Sequence, residues 1–200
     1  CTPMIDTTTQ KIRLHEERTW FIADPHFGHD AIRRHCSRPF SSVEEMDAEI
    51  WKNLERVGPE DTLVVLGDLT WNNVNDNDVK RLPGRQRLLV RGNHDKQVVV
   101  KSRKWARVCD YLEATVLMPG GGGRRTLVMS HYPMASWAGA RNSIHLHGHT
   151  HGSVPPMATE FGGRVDAGVD VWQFRPIRLR DVIARLDGIR SEGFAVPGDY

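Results

Sequence analysis

Short apolar runs that end in polar or turn residues recur along the chain. Residues 19–23, 62–66 and 87–90 are rich in β-branched, aromatic and leucine side chains, a pattern that predicts buried strands. Similar runs at 111–118, 126–129, 144–147 and 164–171 predict further strands. Four glycines at 120–123 predict a hairpin turn. They also resemble a phosphate-cradling loop, but no lysine or helix start follows them, as a P-loop requires.

A helical period runs through residues 43–57. Val43, Met46, Ile50, Leu54 and Val57 recur at spacings of three and four, which predicts an amphipathic helix. Two overlapping Ser-x-x-Glu patterns precede this segment and a Gly-Pro pair follows it, as expected for the two ends of a helix. Shorter helices are predicted at 29–36, 74–82, 96–108 and 181–186. Strands that alternate with helices, followed by hairpin-like strands, predict an α/β fold with a mixed sheet.

Length and composition are those of an ordinary globular domain. The chain has 200 residues, of which 39% are hydrophobic, and its net charge of +2 does not by itself indicate a nucleic-acid-binding protein. We predict a loose leader at 1–17 with at most a short strand at 11–14, a single domain at 18–187 and a loose tail at 188–200.

The cellular compartment is predicted from what the chain contains. No apolar run approaches the roughly 20 residues that a membrane helix needs, and the first residues lack the apolar core of a signal peptide. Three cysteines without a Cys-x-x-Cys pair argue against a disulfide or zinc-finger framework. We therefore expect a cytoplasmic protein without membrane attachment, and the sequence leaves its oligomeric state open.

Potential metal ligands follow the ends of several predicted strands. Of the ten histidines, five fall between positions 131 and 151. His149 and His151 are separated by one residue, so both rings would lie on the same side of an extended backbone. In chain order, the candidate ligands are Asp24, His26, Asp68, Asn93, His131, His149 and His151, and His94 follows Asn93 directly.

The donor types indicate which metals would bind. Carboxylates, imidazoles and an amide oxygen together suit a divalent ion of intermediate hardness, such as Mn, Fe, Zn or Ni. Seven ligands are too many for one four-coordinate zinc. They suit two ions about 3.5–4 Å apart that share one carboxylate. The sequence therefore predicts a centre for two divalent metal ions, with manganese preferred.

Five short blocks also carry a family resemblance. They are Asp24-x-His26, Gly67-Asp68, Gly92-Asn93-His94-Asp95, His131 and Gly148-His149-x-His151. In order and placement they resemble the signature blocks of the calcineurin-like metallophosphoesterase superfamily. The surrounding residues, including Arg38-Pro39-Phe40, are similar to those of small bacterial and phage members that lack a cap domain. The resemblance implies a sandwich of two mixed β-sheets flanked by helices.

The resemblance also implies a role for each residue. Asp24, His26 and His151 would hold the first metal ion. Asn93, His131 and His149 would hold the second, and Asp68 would bridge the two. His94 would bind no metal and would face the substrate. The implied reaction is hydrolysis of a phosphate ester by a hydroxide that the ions share, with His94 stabilising the phosphoryl oxygens or protonating the leaving group.

One block of the superfamily is missing. In its protein Ser/Thr phosphatases and diadenosine tetraphosphatases, Gly-Asp is followed by an Asp-Arg-Gly block whose aspartate partners the histidine that corresponds to His94. Here Leu69-Thr70-Trp71-Asn72 follows Asp68 instead. This departure argues against both activities. Asp95, next to His94, is a candidate to orient the ring in its place.

Several functions remain open at this point. We predict hydrolysis of a phosphodiester, such as a cyclic nucleotide, an oligonucleotide or nucleic-acid end, or another small diester, at a site that no cap covers. Hydrolysis of phosphomonoesters is the alternative, which His94 also permits. A non-catalytic scaffold on the same fold would have lost ligands, whereas here every ligand position is filled. A structural-zinc domain would need cysteine-rich sites, which are missing, and a nuclease would need a basic groove.

Other polar residues have two interpretations each. His145 and His147 either support the metal-bound rings or are ordinary strand histidines. His29 either lines the substrate entrance or caps the first helix. Asp166 and Asp170 are expected to support the fold rather than to bind metal. Four arginines are candidates for binding a substrate phosphate, although exposed arginines are common: Arg33, Arg34, Arg38 and Arg141.

Overall fold

Four parallel strands form the smaller of two sheets in the computed structural model, which describes residues 11–71 and 76–192. In spatial order these strands are β2 (Thr19–Ile22), β3 (Thr62–Val65), β4 (Gln86–Val90) and β5 (Arg107–Cys109). The predicted sandwich of two sheets is confirmed, but this sheet is parallel throughout rather than mixed. Its strands therefore all end at the same edge.

The larger sheet has six strands and is mixed. Its spatial order is β1 (Ile12–His15), β6 (Tyr111–Leu117), β7 (Arg124–Ser130), β8 (Ser143–His147), β10 (Gly163–Asp166) and β9 (Met157–Ala158). Strands β6 and β7 form an antiparallel hairpin. The Met118 N–H donates to the Gly123 carbonyl at 3.1 Å and closes the glycine-rich turn. The prediction of a hairpin turn at 120–123 is therefore confirmed.

Five helices accompany the sheets in the described residues. They are α1 (Asp30–His35), α2 (Val43–Leu54), α3 (Asp76–Arg81), α4 (Gln97–Val100) and α5 (Leu179–Ser191). The Ser42 side chain accepts a hydrogen bond from the Glu45 N–H at 3.1 Å and caps α2. Met46 and Ile50 on the apolar stripe of α2 are fully buried. The amphipathic helix predicted from the spacing is confirmed.

Alternate residues of the parallel sheet separate two cores. In β3, Leu63 and Val65 pack with the residues of α2, α3 and α4. Val64, which points to the opposite face, packs with residues of the larger sheet and of α5. This alternation follows from the two-residue period of a strand. The molecule is therefore layered, with helices over the smaller sheet and the larger sheet beneath it.

The basic helix predicted at 96–108 is wrong beyond its first turn. Helix α4 ends at Val100, and the chain then turns and enters strand β5. The Trp105 indole N–H donates to the Val99 carbonyl at 2.7 Å, and so occupies a carbonyl at the helix end. Pairing of β5 with β4 outweighs the helical propensity of the intervening lysines and arginines.

The strand predicted at 164–171 is also too long. It ends at Asp166, whose carboxylate accepts the Gly168 N–H at 2.7 Å, and a 3₁₀ turn follows at Val169–Val171. Conversely, the last helix is longer than predicted and runs to Ser191. The first two residues of the helix predicted at 74–82 lie outside the described residues.

Secondary structure extends past both predicted domain bounds in the described residues. Strand β1, within the predicted leader, pairs in parallel with β6, and α5 continues past residue 187. Residues 1–10 and most of the predicted tail lie outside the described part of the chain. The bounds at 18 and 187 therefore stay a prediction. In the portion that the structure describes, none of the helices combines the length and apolar character needed to cross a membrane.

Candidate metal centre

The predicted ligands gather where strands of both sheets end. Asp24 and His26 follow β2, Asp68 follows β3, and Asn93 follows β4. Because these strands are parallel neighbours, their C-terminal ends meet at one edge, the edge at which open α/β sheets bind ligands. The larger sheet adds the remaining histidines to the same place, His131 from the end of β7 and His149 and His151 from the loop after β8.

Asp24, His26 and His151 form one group. Their donor atoms all lie within 4.8 Å of one another. Asp24 Oδ1 and His26 Nε2 are buried and have no hydrogen-bond partner among the described residues. Buried polar atoms are almost always paired, and an unpaired one is costly. A cation between these atoms would satisfy both, so the residues present fit a metal ion.

Asn93, His131 and His149 form a second group. The Asn93 Oδ1 atom lies 3.0 Å from His131 Nε2 and 3.0 Å from His149 Nδ1. The other ring nitrogen of His131 donates to the Leu66 carbonyl at 2.8 Å. This bond fixes the imidazole tautomer and leaves the Nε2 lone pair directed into the centre.

Asp68 lies between the two groups. Its Oδ2 atom is 3.6 Å from His26 Nε2 and 3.4 Å from His131 Nε2. Its Oδ1 atom accepts the backbone N–H of His94 at 2.8 Å. The structure therefore brings all seven predicted ligands together, with Asp68 in the middle. That they bind metal stays a prediction.

The backbone at this centre is held in an uncommon conformation. Five predicted ligands have positive φ: Asp24 at 54°, His26 at 52°, Asp68 at 54°, His149 at 69° and His151 at 46°. Non-glycine residues rarely adopt the left-handed region, and such residues cluster at functional sites. Contacts across the centre offset the cost. One of them is the hydrogen bond from the His149 N–H to Asp24 Oδ2, at 2.8 Å.

Two glycines allow the loops to approach closely. A Cβ atom on Gly92 would overlap the Asp68 carboxylate, and one on Gly148 would overlap that of Asp24. Any other residue at either position would displace a predicted ligand. The glycines that precede Asn93 and His149 are therefore explained by close packing of backbone on carboxylate.

A buried arginine supports the first group. The Arg38 guanidinium is fully buried and binds both oxygens of Asp170, at 2.7 and 2.8 Å. It also donates to the backbone carbonyls of Asp24 and Pro25, at 2.9 and 3.0 Å. Asp170 in turn pairs with the Nδ1 atom of His151 at 2.8 Å. Arg38 thus positions two of the predicted ligands at once and does not contact solvent.

We expect Arg38→Ala to lower the free energy of unfolding by about 3–5 kcal/mol, because it leaves the buried Asp170 carboxylate without its partner. Urea unfolding monitored by circular dichroism would measure the change. Arg34→Ala is the matched control, since Arg34 is an exposed arginine that pairs with Asp30 on the same segment. Equal effects of the two substitutions would contradict the role given to Arg38.

Cys36 lies beside the His151–Asp170 pair, but it indicates no additional metal site. Donor atoms of Cys36, His151 and Asp170 lie within 4.8 Å of one another. His151 and Asp170 are already bonded to each other, and Asp170 is also bonded to Arg38. We therefore assign Asp170 to the support of His151. Asp166, as expected, supports the fold, because its Oδ2 atom accepts from the Thr150 hydroxyl and the Gly152 N–H.

Asp95 ties two loops together. Its carboxylate accepts the backbone N–H groups of Asp68 at 3.1 Å, Leu69 at 3.0 Å and Gly92 at 2.8 Å. Burial raises the pKa of Asp95, and these donors offset part of that rise. The bonds fix the spacing between the loops after β3 and β4. Asp95 therefore places His94 through the backbone.

The contacts of His145, His147 and His29 bear on the two interpretations that each residue has from sequence. His145 has the environment of an ordinary strand histidine, since its Nδ1 pairs with the Val128 carbonyl at 3.0 Å and its Nε2 accepts the Met134 N–H at 3.1 Å. His147 likewise pairs with a backbone carbonyl, that of Gly148. His29 occupies the N-cap position of α1, but its side chain makes no cap hydrogen bond, so the capping interpretation is wrong.

The arginines considered as phosphate ligands all have acidic partners. Arg33 and Arg34 pair with Asp30, Arg141 pairs with Glu160, and Arg38 pairs with Asp170 as described above. The interpretation of these side chains as ordinary ion-pairing residues is therefore favoured over phosphate binding.

Burial and neighbouring charge shift the titration of the centre. Burial raises the pKa of Asp24 to about 7 and lowers that of His26 to about 3. Burial opposes protonation of His131 and His151. Even so, the Asp68 and Asp24 carboxylates raise the pKa of His131 to about 9, and Asp170 and Asp24 with Cys36 raise that of His151 to about 10. Without a cation, the centre therefore holds protons at neutral pH.

Three proteins of known sequence are similar to this chain over most of its length. An uncharacterized protein of Methanocaldococcus jannaschii is 30% identical over 179 residues, which is 84% of this chain and 90% of that protein. The Gene 66 proteins of Mycobacterium phages D29 and L5 are 28% and 27% identical, over 76% and 77% of this chain and 88% and 87% of their own.

A solved structure and a family model extend the comparison. A protein of unknown function from Aquifex aeolicus has a TM-score of 0.59 and 26% identity, over 83% of this chain and 97% of its own. The family model described as calcineurin-like phosphoesterase matches residues 17–153. That span is more than half of the chain and includes every predicted ligand. The chain belongs to the calcineurin-like phosphoesterase family.

Proposed function

We propose that this protein is a dinuclear-metal-dependent phosphoesterase that hydrolyses a phosphodiester. Hydrolases of the family act on phosphoester bonds. The observation that carries the proposal is the pair of donor groups on either side of Asp68, with unpaired buried donor atoms in the first group. Asp24, His26 and His151 would hold one divalent ion, and Asn93, His131 and His149 the other.

The chain's own residues define the rest of the chemistry. Two bound divalent ions would polarise the phosphoryl oxygens and lower the pKa of a coordinated water. His131 and His151 present the nitrogen that faces the centre because their other nitrogen is bonded to Leu66 or Asp170. The Asp68 carboxylate lies between the two groups. Its pKa is below the usual range despite burial, so it offers a negative charge to both groups. Once His131, His151 and Asp24 have released their protons, the protein supplies a set of negative and neutral donors.

His94 is placed to act on the substrate. Its backbone N–H is fixed by Asp68, and its ring centroid lies 5.6 Å from that of His26. The ring lines an open cleft of about 420 Å³ beside the centre. A protonated imidazole there would stabilise the phosphoryl oxygens or donate a proton to the leaving oxygen.

A diester is favoured by the charges near the centre. A phosphomonoester dianion carries more charge than a diester, so it gains more from charge-assisted hydrogen bonds to cationic side chains. The four candidate arginines are all paired with carboxylates. Lys96 is the one lysine or arginine among the residues that line the cleft. This arrangement supports a singly charged ester as the substrate, with a cyclic nucleotide, a nucleic-acid end or another small diester as candidates.

The test compares two generic esters. We expect manganese-dependent hydrolysis of bis(p-nitrophenyl) phosphate that exceeds hydrolysis of p-nitrophenyl phosphate and stops when a chelator removes the metal. Preference for the monoester would replace the diesterase proposal with a phosphomonoesterase. Absence of turnover with Mn, Fe, Zn and Ni would contradict the proposed function and favour a scaffold on the same fold.

Metal affinity should rise with pH. His131 and His151 must lose protons held with pKa values of about 9 and 10, and Asp24 one held at about 7, before their donor atoms bind a cation. Each proton released raises the apparent affinity about tenfold per pH unit below its pKa. Calorimetric titration with manganese at pH 6 and pH 8, in buffers of different ionisation enthalpy, would measure both effects. Affinity that is independent of pH, with no proton release, would contradict this prediction.

A further inference from the structure

The cleft beside the centre has an aromatic wall. It has a volume of about 420 Å³, within the range of small-molecule sites, and its lining includes Trp71, Asn93, His94, Lys96 and Gln97. The cleft adjoins the predicted centre, because Asn93 is a predicted metal ligand and His94 is proposed to face the substrate. A substrate whose phosphate sits on the centre would therefore extend past His94 and reach Trp71.

The Trp71 indole is held in place without a ligand. It stacks on the His29 ring with a centroid separation of 3.7 Å and an interplanar angle of 2°. The Trp71 backbone N–H donates to the Phe27 carbonyl at 2.9 Å. His29 is itself buried and its Nδ1 lies 3.4 Å from His26 Nδ1. The indole is thus pre-organised next to the first group of donors.

Packing alone does not explain this position. Four of the other five tryptophans have their indole N–H bonded within the protein: Trp20 to Asp61, Trp105 to Val99, Trp137 to Ser143 and Trp172 to Asp166. The fifth, Trp51, is held by stacking on Phe27 and by the Arg81 guanidinium. Trp71 is half-buried, no hydrogen bond from its indole N–H to another described residue is seen, and, unlike Trp51, it lines the cleft. A fixed aromatic ring with an unused donor, at the wall of an open cleft, is suited to a ligand.

The chemistry around the ring indicates a nucleobase. His29 covers one face of the indole, and the part of the ring that lines the cleft can accept any base. The exposed Lys96 and Gln97 side chains offer an ammonium and an amide to the polar edge of such a base. Trp71 lies beside His94, the residue proposed to assist the leaving group, with ring centroids 4.5 Å apart, and its ring is 6.3 Å from that of His26. We propose that the cleft is a base-binding subsite in which a nucleobase on the leaving-group side of the phosphate stacks against Trp71. This inference rests on the proposed function and narrows its substrate to a nucleotide ester.

Direct binding tests the subsite separately from turnover. Calorimetric titration of the manganese-loaded protein with AMP and with ribose 5-phosphate compares two ligands that differ by the base. We expect AMP to bind about 5- to 150-fold more tightly, the usual worth of one stacked base. In Trp71→Leu this ratio should fall close to one, and Trp71→Phe should keep most of it.

Tyr132→Leu is the matched control. Tyr132 is an exposed aromatic residue beside the second group, with its ring 4.6 Å from that of His149, but it does not line the cleft. Its replacement should leave the ratio unchanged. Equal affinity of AMP and ribose 5-phosphate for the unmodified protein, or a ratio preserved in Trp71→Leu, would overturn the subsite. Such a result can coexist with manganese-dependent diester hydrolysis, so it would leave the proposed function standing.

Discussion

Asp68→Ala is expected to lower turnover of bis(p-nitrophenyl) phosphate by about 10³-fold or more. Asp68 is the residue that both donor groups share, with its carboxylate 3.6 Å from His26 and 3.4 Å from His131. Its removal would weaken both proposed metal sites at once. A Lewis-acid metal ion supplies several kcal/mol of transition-state stabilisation. Loss of both ions should therefore lower the rate by at least about 10³-fold.

A second variant, Asp68→Asn, separates the effect of the negative charge of Asp68 from that of its side-chain size. Asp68→Asn keeps the size of the side chain and an oxygen that can accept the His94 N–H, but removes the negative charge. We expect it to lose metal and activity almost as fully as the alanine variant. Metal content after gel filtration, together with initial rates, gives both readouts.

Asp187→Ala serves as the control for Asp68. Asp187 is an exposed aspartate on α5 that pairs with Arg190, so its removal should change neither metal content nor rate. An Asp68→Ala variant that folds, binds two manganese ions and turns over normally would show that Asp68 is not shared between metals.

His94→Ala is expected to lower turnover of a diester with an alkoxide leaving group by about 10²–10⁴-fold while leaving metal binding intact. The magnitude is the usual worth of a positioned general acid. His94 differs from the predicted ligands because its ring lines the open cleft and its backbone, rather than its ring, is bonded to Asp68. Its loss should therefore affect the reaction and not the occupancy of the centre.

The leaving group distinguishes the two roles of His94. A general acid matters most for a poor leaving group such as an alkoxide and least for p-nitrophenolate, which leaves without protonation. A deficit that grows with the pKa of the leaving alcohol would assign His94 as the acid. A deficit that is constant across esters would assign it to the phosphoryl oxygens. Metal loss in His94→Ala, with His35→Ala as an exposed control, would instead make His94 a ligand.

The clustering of the predicted ligands can be expected from sequence because each lies within a few residues of the end of a predicted strand. Asp24, Asp68 and Asn93 come after apolar runs whose length and composition identify buried strands, and parallel strands bring their ends together. No knowledge of distant contacts was needed. The same holds for helix α2, whose spacing and cap are encoded within its own residues.

The supporting residues could not be found in this way. Arg38 and Asp170 are 132 positions apart in sequence and meet only in the folded chain. From sequence, Arg38 is one of four candidate phosphate-binding arginines, and only the fold shows that its side chain is buried. Trp71 was visible only as part of the segment that replaces the missing Asp-Arg-Gly block, and its stacking on His29 depends on how two loops pack.

The donors of the candidate centre come from two sheets. Asp24, His26, Asp68 and Asn93 belong to loops of the parallel sheet, while His131, His149 and His151 belong to loops of the mixed sheet. Ions held by both would act as a clasp across the seam of the sandwich, in addition to the hydrogen bonds that already join the layers there, such as those from His131 to Leu66 and from His149 to Asp24. By mass action such a clasp adds about 2.7 kcal/mol to folding stability when free metal is at 100 times its Kd. The concentration of free metal would then determine the free energy of unfolding as well as the activity.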